Sequence, residues 1–119
     1  MTIDELVKKV KDFQRDKGFP IKVELKDYGY LMFKNTLLVE EVSELLHAIT
    51  DGDIAKIADG IADAIYILIG MAMMIDIPIE KVLEEVHRSN MTKEIGAVKG
   101  DDYSPPRIKE ILKDMEKGQ

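Results

Sequence analysis

Five carboxylates stand in two short clusters: Glu40, Glu41 and Glu44 in EEVSE, and Asp59 and Asp63 in DGIAD, which begins fifteen residues after Glu44. Both clusters lie in stretches of helical period. At about 100° per residue, Glu40, Glu44 and Glu41 fall at roughly 0°, 40° and 100° on one side of their helix. Asp59 and Asp63 are i and i+4, which sets them about 40° apart on theirs. Like charges at such spacings repel unless a cation lies among them. A hard divalent ion such as Mg2+ takes oxygen ligands, keeps several waters and is commonly held by one or two carboxylates together with substrate phosphates. Such an ion neutralises phosphate charge and lowers the pKa of bound water. A carboxylate not fully engaged as a ligand can take that water's proton. These acids therefore suit metal-assisted hydrolysis of a phosphorylated substrate.

Helices must position them. Thr2 and Glu5 have capping-box spacing ahead of a first helix over 3–16, whose stripe of Ile3, Leu6, Val7, Val10 and Phe13 reads as core. Gly18 and Pro20 end it. Residues 18–29 are a connector in which 21–25 alternates like a short strand with no clear partner. A second helix over 30–49 carries Leu31, Leu38, Val42, Leu45 and Leu46, while Leu37 and Ala48 fall within the arc of the glutamates. Asp51-Gly52-Asp53 is a turn. The third helix, over 54–75, is apolar all round after Asp63, as expected at a bundle centre or a subunit interface. Asp63, near Ala55, Ala62 and Tyr66, is thus expected to be partly buried and to need a partner or a metal. Met71, Met73 and Met74 are filler for that core or interface. Pro78 opens a fourth helix over 78–90. Residues 91–103 are irregular, with Lys93, Lys99 and Gly100 as groups able to meet phosphate. Ser104-Pro105-Pro106 caps and opens a last helix reaching about residue 117. The fold class is all-α, a bundle of four to five helices.

Composition narrows the setting. At 119 residues, 1–119 reads as a single domain. A net charge of −6 and no basic patch argue against duplex nucleic acid as a partner. The absence of cysteine excludes disulfide scaffolds and thiolate metal sites. MTIDELVKKV starts an amphipathic helix and lacks the apolar core of a signal peptide. The longest apolar run, 64–75, is twelve residues, short for a bilayer span. The expectation is a cytoplasmic protein without a membrane partner.

The EExxE cluster followed by an acidic x-x-D helix resembles the signature of the MazG-like all-α nucleoside triphosphate pyrophosphatases. The first half is complete in Glu40, Glu41 and Glu44. The second half is ExxD in that family; here 60–63 reads GIAD, with Gly60 in the glutamate's place and Asp59 one residue earlier. VHRSNMTK (86–93) and AVKGDDYSPP (97–106) resemble the tail of the phosphoribosyl-ATP pyrophosphohydrolase-like branch, so the likeness spans about 30–112. The resemblance implies a helical dimer or tetramer that cleaves a nucleoside triphosphate between the α and β phosphates. It implies Mg2+, or Mn2+, held by Glu41, Glu44, Asp59 and Asp63. Glu40 and Glu41 become the candidate catalytic acids, and Asn90 and Lys93 the substrate contacts. Nucleotide-pool house-cleaning is the expected role.

Blander and rival readings exist for the same residues. Lys56, three residues before Asp59, offers it a simple ion pair. Lys93 and Lys99 read individually as surface lysines, Asn90 as a helix end, Tyr66 as core, and Tyr103 as base cover or tail packing. Glu44-x-x-His47 and Glu84-x-x-His87 form the paired E-x-x-H pattern of a carboxylate-bridged di-iron bundle. A third reading is a non-catalytic, nucleotide-binding helical dimer, which Gly60 keeps open.

Overall fold

The computed structural model describes residues 1–117, with side chains through residue 113. The described residues form five helices and divide into two compact units, one of residues 1–76 and one from residue 77 onward. The first unit holds α1 (Ile3–Asp16), α2 (Gly29–Asp51) and α3 (Ile54–Met74). The second holds α4 (Ile79–Asn90) and α5 (Ile108–Lys117). The all-α architecture is the one the helical periods demand.

In the first unit α3 packs against both α1 and α2. α1 begins where the Thr2 hydroxyl accepts the Glu5 N–H at 3.0 Å, with Asp4 and Glu5 in its first turn and Arg15 in its last, complementing the helix dipole. Its buried residues are Val10 and Gln14, at 0% and 1% exposure; a glutamine so deep must find partners. Gln14 Nε2 donates to the Pro20 carbonyl at 2.7 Å, and the Gln14 carbonyl accepts the Phe19 N–H at 2.7 Å. Gly70 is the point of close approach: a Cβ there would stand 2.6 Å from Gln14 Oε1 and 3.4 Å from Val10 Cγ1.

α2 runs one residue earlier and two later than its apolar pattern indicates. Gly52, at φ 68°, ends it, its N–H reaching the Ala48 and Ile49 carbonyls. Asp53 then caps α3, its carboxylate accepting the Lys56 N–H at 3.2 Å. The two helices meet closely at Gly60, where a Cβ would lie 3.4 Å from Leu45 Cδ1. α3 stops at Met74, and the connector 18–29 contains no strand; a single bond from the Val23 N–H to the Met74 carbonyl, 2.9 Å, ties it to the end of α3.

The expected burial of α3 is met only at its C-terminal half. Ile69, Gly70, Ala72, Met73 and Met74 are buried, whereas Ile61, Ile65 and Leu68 remain 45–49% exposed. On α2, Val39, Val42, Leu46 and Ile49 are exposed as well. Counting uninterrupted apolar residues also understates α3: over an 18-residue window its mean hydropathy is 1.7, so by length and composition alone it is long and apolar enough to cross a membrane. Phe13, expected in the core, is 40% exposed and stands edge-on to the half-buried Tyr66.

In the second unit α4 packs against α5. Pro78 is the cap of α4 rather than its first residue; its carbonyl accepts the Val82 N–H at 3.1 Å. Ser104 caps no helix, since α5 begins four residues later and Ser104 is held by α4 and the turn after it, as described below.

Replacing Gln14 by Ala should lower stability by about 2 kcal/mol, through a cavity and an orphaned carbonyl. Gly70→Ala should destabilise the natural protein and be close to neutral in the Gln14→Ala background, where its methyl has room. Urea unfolding of the four proteins in that cycle measures both effects.

Candidate active site

The acids of α2 and α3 come together as the helical spacing requires. Glu41, Glu44 and Asp51 of α2 and Lys56 and Asp59 of α3 line a cleft of about 370 Å³, together with Leu45, His47, Ala48 and Gly60. Glu41 is its most perturbed group. Burial raises the carboxyl above its usual value, and the charges of Asp63, Glu44, Asp59 and Glu40 raise it further. The other four predicted acids therefore all act electrostatically on Glu41. Glu40 is exposed, Asp63 is half-buried as its helix led one to expect, and neither lines the cleft. Asp59 does not pair with Lys56 among the described residues; both face the same cavity. Gly60 is buried against Leu45, so the position between the two aspartates serves helix packing.

Only oxygen and imidazole donors are available here, and the oxygen set suits a hard divalent cation. The unrelieved charge on Glu41 is the electrostatic condition such a cation answers. Among the described residues no group of three or more His, Asp or Glu side chains is gathered closely enough to hold a metal ion. Asp51 and Lys56 line the cleft without having been singled out as site residues by the sequence, and His47, considered only for the di-iron reading, lines it too. Asp51 is seven residues after Glu44, the same helical face, but its place in a turn motif concealed that.

In the second unit the residues around the SNMTK and SPP stretches are bonded to one another. Arg88 donates through Nε to Glu85 at 2.7 Å, through Nη1 to Ser104 Oγ at 3.1 Å and through Nη2 to the Pro105 carbonyl at 3.2 Å. Ser89 Oγ, buried, donates to the Ser104 carbonyl at 2.7 Å, and the Ser104 N–H donates to Thr92 Oγ1 at 2.8 Å. The hydrogen bond from Arg88 holds the Glu85 carboxyl below its usual range, against the opposing effect of burial, with help from the Arg107 N–H. That contribution is present above the ordinary glutamate value and is lost as pH falls through the lowered one. Asn90 is exposed at the last residue of α4, and Lys93 is half-buried in the turn that follows. Of the other phosphate candidates, Gly100 has its N–H bonded to the Val98 carbonyl, and a Cβ there would strike the Glu94 carboxylate. Lys99 lies over the Tyr103 ring at 5.2 Å. The segment 91–103 carries one isolated bridge, between Glu94 and Val98.

Residues 14–90 match the family described as phosphoribosyl-ATP pyrophosphohydrolase, which is well over half of the chain and includes both acid clusters. The chain belongs to that family. It is a pyrophosphohydrolase, a hydrolase acting on phosphoric anhydrides, and its substrate is a phosphorylated nucleotide. Members are generally divalent-metal dependent. A search of curated proteins gave no match. Family membership decides against both the di-iron and the non-catalytic readings; His47 and His87, which the former needs, are both exposed.

Because the folded Glu41 carboxyl is raised, its ionised form opposes folding at neutral pH, and the opposition fades as pH falls through the raised value. Glu41→Gln should therefore have a higher Tm than the natural protein at pH 7 without divalent ions. The gap should close on acidification below the glutamate range. Thermal unfolding across a pH series checks the sign.

Proposed function

We propose that the chain is a Mg2+- or Mn2+-dependent nucleoside triphosphate pyrophosphohydrolase that cleaves between the α and β phosphates and releases the monophosphate and pyrophosphate. The observation that carries this reading is the convergence of acids from α2 and α3 on Glu41 beside an open cleft, within a family of nucleotide pyrophosphohydrolases. Glu41, Glu44, Asp59 and Asp63 are the groups assigned to hold the ion, which when bound withdraws negative charge from the phosphate oxygens. Glu40 or Glu41 accepts a proton from the attacking water. The raised Glu41 value suits that task, since a base near the working pH transfers protons best. Asn90 and Lys93 contact phosphate or sugar. The 119 residues act as one functional domain in the cytoplasm, away from membranes and duplex nucleic acid, and the role is removal of unwanted nucleotides from the pool.

We further read the protein as a homodimer or homotetramer. Val39, Val42, Leu46 and Ile49 on α2 recur at steps of three, four and three, the seam spacing of paired helices. With Ile61, Ile65 and Leu68 on α3 they make an apolar surface that a second copy can cover.

Pyrophosphate release should require Mg2+ or Mn2+ and should fall at least about hundredfold in Glu44→Ala and Asp63→Asn, while His47→Ala and His87→Ala retain it. Undiminished release in the first pair would overturn the site assignment. Leu46→Glu should shift the molar mass measured by light scattering towards the monomer. A natural protein that is monomeric at high concentration would refute the assembly.

A further inference from the structure

We propose that Lys34, with Tyr30 and Phe19 beside it, forms the nucleobase end of the substrate site and selects bases that present a carbonyl oxygen. The proposal rests on the nucleotide reading above and names a substrate class within it. All of its residues belong to the first unit. A run of rings begins at Tyr66, three residues beyond Asp63. Tyr66 meets Phe13 edge-on at 5.6 Å, and Phe13 lies 6.4 Å from Phe19. Lys34 Nζ then stands 5.4 Å from the Phe19 ring and 5.6 Å from that of Tyr30. Phe19 is 42% exposed, far more than a ring placed only to fill a core.

The polar groups in this cluster lack acceptors. Lys34 is half-buried and makes no ion pair or hydrogen bond among the described residues. Burial lowers its pKa, because the ammonium has lost water without gaining a carboxylate. The Tyr30 hydroxyl is buried and has no hydrogen-bond partner. Donors left unpaired among carbon are costly, and an acceptor on a ligand relieves the cost. The position also fits. Lys34 and Glu41 are seven residues apart, on one face of α2 and separated by about 10 Å along the axis. A nucleotide with its phosphates at the acids can direct its base along that face. Exposed aromatic rings take a base by stacking, whichever base it is. The donors discriminate at one ring position: guanine and hypoxanthine place the O6 carbonyl there, and uracil and thymine the O4 carbonyl. Adenine, which shares N7 with the other purines, places the N6 amino group there and cytosine the N4 amino group, setting a donor against a donor.

The test is direct binding of nucleoside monophosphates in the absence of metal, by calorimetry and by ring-current shifts of the aromatic protons. Inosine and uridine monophosphates should bind about tenfold more tightly than adenosine and cytidine monophosphates. Lys34→Met, which keeps the aliphatic stem, should abolish that preference, and Lys34→Arg should retain it. Inhibition by pyrophosphate should be the same in all three proteins. Equal affinity for all four bases would overturn the proposal. So would a Lys34→Met protein that weakens pyrophosphate instead, which marks a phosphate contact, or one that loses only thermal stability, which marks a structural staple. The binding measurement needs no turnover. Base selection without hydrolysis would sink the proposed reaction and leave the subsite standing; hydrolysis without base selection would do the reverse.

Discussion

Negative charge held together by apolar packing is the constraint on which the first unit depends. α2 and α3 are pressed together at Leu45 and Gly60, and the same contact brings the carboxylates of Glu41, Glu44 and Asp59 around one cleft. Helix packing holds these acids near one another, and the Glu41 carboxyl is raised first by its burial and then by the neighbouring charges. A site that is electrostatically uncomfortable when empty is one that gains by taking up a cation.

Much of this was legible in the sequence because helices advertise themselves. The periods of α1 to α4, the Thr2 cap, the Gly52 turn and the shared face of the acids all follow from local rules that the packed structure keeps. What was hidden depended on partners distant in the chain. Nothing local marks Gln14 as a buried residue of α1 beside Val10, because its partners are the Pro20 carbonyl and the close backbone at Gly70. Ser104 has the sequence of a helix cap, but the chain reaches α5 only after it has been fastened to Ser89, Thr92 and Arg88. Asp51 and Lys56 were concealed in the same way, by a turn and by an apparent ion pair, and only the cleft places them near the glutamates.

In the second unit one short stretch is fastened residue by residue to a distant part of the chain. In the run from Arg88 to Lys93, alternate demands are visible. Arg88, Ser89 and Thr92 turn to the 104–105 backbone and fix the loop, and Asn90 stays exposed. Residues that fasten the loop and residues proposed to meet substrate therefore alternate along the chain. A substitution in this stretch is informative only when the residue's own partner is known.

Gly52 and Asp53 separate α2 from α3 by two residues, and this brevity bears on how the protein folds as well as on what it becomes. Closing so short a loop costs little chain entropy, so a helical hairpin of low contact order can form ahead of longer-range contacts such as those of α1 with α3. The acid clusters meet as soon as that hairpin closes. Their repulsion is thus felt along the folding path, and any counter-charge in the surrounding solution enters the kinetics of folding before it enters catalysis.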